Sequence, residues 1–159
     1  MSLIKIEDIE NALDKFDSLD DAGLERLSET YTLAQTELLG YLMQAVHEYE
    51  NEELSSYIMY YFCIIMESVS QSGIKLERVT DEMIDAFHEE FMDVLEEYAG
   101  EEDPAILDTY INQPNLIGFI AEELDGEDED GNVLDVETSS QLFIVLSAMV
   151  GLLNRAMAK

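Results

Sequence analysis

Asp85-Ala86-Phe87-His88 sets a carboxylate and an imidazole three residues apart, the spacing with which carboxylate-rich helical proteins hold a pair of iron ions. That chemistry needs two Glu-x-x-His motifs on facing helices. Here the acid is Asp, and the second histidine, His47, has Gln44 at the matching offset. The ligand set is incomplete, and no metal is expected from it. Cys63 sits inside the apolar run 57–66 with no histidine near it in sequence, so it reads as a small buried hydrophobe rather than a nucleophile. Glu67, which follows that run, reads as a capped or rim carboxylate rather than a ligand. No phosphate-cradling glycine loop, nucleophile elbow, zinc spacing or dinucleotide fingerprint occurs. Two histidines and one cysteine leave little from which to build acid–base or nucleophilic catalysis. The expectation is a protein that is not an enzyme and carries no cofactor.

The segment 126–137 resembles the calcium-binding loop of EF-hand proteins. With Gly131 at the sixth position, Asp128 and Asp130 fall at positions three and five, Val133 at eight and Glu137 at twelve. Position one, normally Asp, is Gly126, Asp125 lies one residue early, and no second loop of this kind is present to pair with it. The expectation is a solvated acidic loop over 125–137 that gathers cations weakly, with a calcium-responsive protein as an alternative.

Charge is the strongest signal. Asp and Glu number 37 against 7 Lys and Arg, a net −30, and no basic residue falls between positions 79 and 154, where 21 acids lie. Those carboxylates lack local cations, and their mutual repulsion opposes the compact state unless salt screens it. The densest row is Glu82, Asp85, Glu89, Glu90, Asp93, Glu96 and Glu97, the outer face of one amphipathic helix. A solvent-facing helix side must be polar, but ordinary surfaces mix signs, whereas this one has no Lys or Arg. Selection for a basic partner, for solubility or for a salty habitat would offset the repulsion. Direct binding to nucleic acid is excluded by the same charge, since that affinity comes from Lys and Arg neutralising phosphates. An anionic membrane surface is equally disfavoured.

The elements that position these residues read as helices. Apolar residues make up 47% of 159, enough for one folded domain, 1–159, and the two prolines, Pro104 and Pro114, both sit late. A first helix spans 6–17. A second starts after Asp20 or Asp21 and carries Leu24, Leu27, Tyr31, Ala34, Leu38, Tyr41, Ala45 and Tyr49 at alternating steps of three and four, with Gly40 inside it for a close approach or a bend. The phase slips at 50–53, so a third is predicted from Asn51, as N-cap, to Ser72, stopped by Gly73. A connector with a short extended piece covers 74–79. Thr80 caps a fourth helix, with Met83, Ile84, Phe87, Phe91, Val94, Leu95 and Tyr98 inward, that ends at Gly100. Asp103-Pro104 opens a short helix, Pro114 another, and the last covers 138–158. Ser147 and Gly151, four apart in that last helix, would let a neighbour approach closely.

The fold expected is all-α: a single-domain bundle of six or seven helices around two largely buried central ones, about 51–72 and 138–158. The lone cysteine forms no internal disulfide, and the early acids and the shortness of the longest apolar stretch, 142–153, indicate neither a signal peptide nor a membrane span, so a cytoplasmic protein is expected. The functional expectation is an acidic helical binding protein that engages a basic protein, as an inhibitor, an immunity factor or a nucleic-acid mimic. A structural module forming a homodimer is the alternative, beside the calcium-responsive one.

Overall fold

The computed structural model describes residues 3–101, 104–126 and 134–157. Every regular element among them is a helix: α1 (Ile6–Ser18), α2 (Asp21–Ala34), α3 (Thr36–Glu48), α4 (Leu54–Ser72), α5 (Asp81–Glu101), α6 (Pro104–Ile111), α7 (Pro114–Asp125) and α8 (Val136–Ala156). The all-α expectation holds. The count of eight exceeds six or seven because the predicted second helix is two.

The break falls at Gln35, whose backbone leaves the helical region at φ −135°, ψ 54°. The apolar seam runs straight through this point and gives no warning. The cause is tertiary. Gln35 is buried, its Nε2 donates to the Glu77 carbonyl at 3.0 Å and its Oε1 accepts from Val79 N–H at 2.8 Å. A single side-chain amide thus satisfies both backbone groups of the 74–80 connector, a stronger demand on a buried position than helix continuity.

Gln113 repeats the device between α6 and α7. It is fully buried, adopts φ −137°, ψ 73°, accepts from Ile4 N–H at 3.0 Å and donates to Asn154 Oδ1 at 2.9 Å. It therefore ties the chain's start to the end of α8.

α4 and α8 lie against each other at the centre. α1, α2 and α3 cover α4, while α3, α5, α6 and α7 cover α8. Eleven of the 19 residues of α4 and thirteen of the 21 of α8 are buried, against none in α2. Both central helices are thus where the all-round apolar pattern puts them, with shifted ends. α4 begins at Leu54 rather than 51, because Asn51 closes a turn (its Oδ1 accepts from Glu53 N–H at 3.2 Å) and its Nδ2 donates across to Thr138 and Gln141. α8 runs 136–156 rather than 138–158, since Asp135 Oδ1 accepts from Thr138 N–H at 2.7 Å and caps it. By length and composition α8 alone among the described helices suits a bilayer crossing; here its apolar surface is largely taken up by its neighbours.

Gly73 ends α4 in the left-handed conformation, φ 75°, as expected. The extended piece is one antiparallel bridge, Leu76 to Met157, sealed by Glu77 N–H to the Ala156 carbonyl at 2.8 Å. Gly100 does not end α5, which continues to Glu101. Gly151 does permit close approach: a Cβ there would lie 2.8 Å from Phe87 Cε2 and 2.9 Å from Cζ. Gly40 does not, since a Cβ there would meet nothing within 4 Å.

An acidic groove between α3 and α5

The helix predicted from Thr80 forms as expected. Thr80 Oγ1 accepts from Met83 N–H at 3.2 Å, and Asp81 and Glu82 fill the first turn, where the exposed N–H groups favour negative charge. Ile84, Phe87 and Phe91 are buried, which turns the acids outward. Glu82, Asp85, Glu89, Glu90, Asp93, Glu96 and Glu97 are all exposed, and at 100° per residue they share one side of the helix.

They do not share one environment. Asp85 and Glu89, with Asp81, border an open groove of about 820 Å³ against α3. The opposite wall carries Glu37 and Glu48, and Tyr41, Ile84 and His88 form the floor. Glu90 points the other way, accepting from Tyr110 O–H at 3.1 Å and lying 3.9 Å from Arg155. Glu82, Asp93, Glu96 and Glu97 lie outside the groove.

The sequence reading missed the α3 wall. Glu37, Tyr41, Gln44 and Glu48 recur at steps of four, three and four on one helix face, a stripe that was legible once α3 was taken as an element of its own. Gly40 lies on that face and borders the groove, and a Cβ there would meet nothing within 4 Å.

Among the described residues, one cation pairs with a carboxylate of the groove. Arg78 Nε donates to Glu37 Oε2 at 2.9 Å and holds that carboxyl below its usual range. On the floor, Tyr41 O–H and His88 Nδ1 are 2.7 Å apart with their rings edge to face. Burial, followed by the nearby Glu48 charge, pushes the Tyr41 phenol up to about 12, so it stays protonated and can donate to the imidazole. His88 is thereby engaged by Tyr41. Among the described residues no three His, Cys, Asp or Glu side chains converge to hold a metal ion.

The other candidates resolve separately. Cys63 is buried in the core, and burial pushes its thiol up, away from the reactive thiolate. Glu67 is neither cap nor rim. Its side chain is 1% exposed and accepts from Lys15 Nζ at 2.9 Å, Tyr31 O–H at 2.8 Å and Gln71 Nε2 at 2.9 Å. The alternation of apolar residues hid this, because Lys15 and Tyr31 are distant in sequence. The cluster pins α1 and α2 to α4. Residues 127–133, which hold most of the expected calcium ligands, lie outside the described residues. At the edges of that segment Gly126 caps α7 and Glu137 stands in the first turn of α8, with Gln141 Nε2 3.4 Å from its carboxylate. No known protein family, no curated protein and no solved structure matches the chain.

Proposed function

We propose that this protein is a non-enzymatic, cytoplasmic helical bundle that binds a basic protein along α5 and the α3–α5 groove. The observation that carries the reading is the run of carboxylates on α5. Its 21 residues include nine acids and no Lys or Arg. At ~1.5 Å per residue that is one charge per ~3.5 Å, close to the ~3.4 Å spacing of phosphates along one DNA strand. A protein built to hold a nucleic acid meets a similar field on this helix, which favours an inhibitor, an immunity factor or a nucleic-acid mimic over a role in solubility alone. Lining up unneutralised carboxylates four apart costs roughly 0.2–0.5 kcal/mol per pair on an isolated helix, and a cationic partner removes that cost.

Association of this kind is steered by the long-range field, so it is fast and weakens steeply with salt. The test uses immobilised protein against lysate of its own cells, washed at low salt and eluted with rising salt, beside the double variant Asp85→Lys/Glu89→Lys. Both sites are exposed, so the variant folds. A discrete basic protein held by the native chain and lost from the variant supports the reading. Retention by both, or by neither, refutes it.

A further inference from the structure

The groove does not end in open solvent. Where the C-terminal end of α3 passes α5 and α8 there is an apolar hollow of about 60 Å³, floored by Leu42, Phe91, Val145 and Ala148. One water needs roughly 10–15 Å³ on this scale, so the hollow has room for about four to six non-hydrogen atoms, the size of a leucine or methionine side chain. Tyr49 and Met92 stand at its mouth at 37% and 41% exposure, two of the few large apolar side chains exposed among the described residues. Exposed apolar surface around a concave, apolar-floored site is the signature of an anchor socket. Tyr41, Gln44, Glu48 and His88 border both hollow and groove, so the two are continuous.

We infer that the hollow seats one aliphatic side chain of an amphipathic basic segment whose Lys or Arg residues lie along the groove. Three observations fix the occupant. A long cation entering the hollow head first would bury its charge on Leu42, Phe91 and Val145, which excludes Lys or Arg as the inserted residue. The charged positions beside it, Glu48 and Glu89, call for cations next to the anchor rather than within it. The last turn of α3 adds the negative end of a helix dipole at the same place. A second copy of this chain is excluded as occupant by its net −30. From Glu37 to Glu48 the wall is about 16 Å long at ~1.5 Å per residue, which matches three turns of a docked helix.

This inference rests on the reading of the protein as a binder of basic partners, and two arms separate the failure of each. The probes are two synthetic Lys/Arg-rich amphipathic helical peptides, identical except that one carries a central leucine and the other alanine. They are titrated into the full chain and into Met92→Asp, an exposed change at the mouth of the hollow. The leucine peptide is expected to bind the native chain about tenfold more tightly than the alanine peptide, from burial of the larger side chain. Met92→Asp is expected to remove that preference while leaving the salt-dependent binding of the alanine peptide in place, and the Met92 methyl resonance to shift only with the leucine peptide. Equal binding of the two peptides to the native chain, with the salt dependence intact, overturns the socket and leaves the electrostatic reading standing. If neither peptide binds at low salt, both fall.

Discussion

Two helical glycines, Gly40 and Gly151, should respond to the same substitution with opposite sign. Replacing either by alanine removes the flexibility of glycine from the middle of a helix, which stabilises by ~0.5–1 kcal/mol where space allows. At Gly40 it does allow, since a new Cβ meets nothing within 4 Å. At Gly151 the Cβ lands 2.8 and 2.9 Å from two atoms of the Phe87 ring, where carbon pairs prefer about 3.5–4.0 Å. The ring must therefore move by roughly 0.7 Å or more. It is not free to do so. Phe87 is buried, stacks on Phe91 with centroids 5.0 Å apart and planes 20° from parallel, and carries the Arg155 guanidinium 4.8 Å from its centroid. Overpacking of this kind costs about 1–3 kcal/mol.

Gly40→Ala is thus expected to raise stability by about 0.5–1 kcal/mol and Gly151→Ala to leave it unchanged or lower it by up to about 2.5 kcal/mol. The substitutions are chemically identical, so effects on the unfolded chain largely cancel and the gap of about 1–3 kcal/mol isolates packing at the α5–α8 contact. For a chain of this size that gap separates the two melting temperatures by roughly 2–12 °C. Urea unfolding followed by circular dichroism measures it. Adding Phe87→Leu to Gly151→Ala should recover part of the loss non-additively, because the residues touch. Equal stability of the two alanine variants would refute the close approach of α5 to α8.

Four further outcomes are expected. Tyr41 and Tyr110 have phenols pushed up from 10.0 to about 12, chiefly by burial, so the folded state holds those protons more tightly than the unfolded chain; stability is intact below pH 10 and declines from there towards pH 12, and Tyr41→Phe should flatten that decline in melting curves taken across the range. Glu67→Ala and Lys15→Met should each cost about 3 kcal/mol or more in urea unfolding, the first because it leaves Lys15, Tyr31 and Gln71 without their shared acceptor, the second because it leaves the Glu67 carboxylate, 1% exposed, without its counter-charge. Cys63 should resist thiol reagents in the native protein and react at a rate that tracks unfolding, so fast labelling without denaturant would contradict its burial. Raising sodium chloride from a few millimolar to about 0.15 M, where the screening length shrinks to about 8 Å, should raise the melting temperature by relieving the repulsion among surface carboxylates; an unchanged temperature would mean that repulsion is negligible.

What the sequence made legible follows the reach of each interaction. Helical faces, caps and stops depend on residues within one or two turns, and most of them read correctly: Thr80 as cap of α5, Gly73 as stop of α4, the buried pattern of α4 and α8, the inward row of α5, though not Asn51 as cap of α4 or Gly100 as stop of α5. The features that did not read are those in which a polar side chain answers a distant backbone. Gln35 breaks a seam whose apolar spacing is faultless, because its amide serves residues 42 and 44 positions away. Gln113 serves Ile4 from 109 positions away. Polar residues at such points carry no local signature, since glutamine is an unremarkable helix former.

The same limit shaped the candidate site. The acidic row of α5 was visible because it lies on one helix, but a groove needs two walls, and the second stripe, from Glu37 to Glu48, was hidden inside a helix taken to run unbroken from α2. Once Gln35 divides the two, α3 is free to lie against both α5 and α8, which an unbroken continuation of α2 would not require. The break at Gln35 therefore lets the α3 carboxylates face those of α5 across a groove that neither helix could form alone. Disrupting the clamp should act on the groove at a distance. Gln35→Leu removes the acceptor of the Val79 N–H and the donor to the Glu77 carbonyl, stranding two backbone groups at a cost of about 1–3 kcal/mol each if they stay buried. The chain can relieve that cost by letting α2 and α3 realign, which carries Tyr41 away from His88. Loss of the 2.7 Å Tyr41–His88 contact, read as the disappearance of cross-peaks between the two rings in NMR while the acids of α5 stay in place, is the expected result. Unaltered cross-peaks would mean that α3 is held by its own apolar contacts with α4 and α8, and that Gln35 records the break without enforcing it.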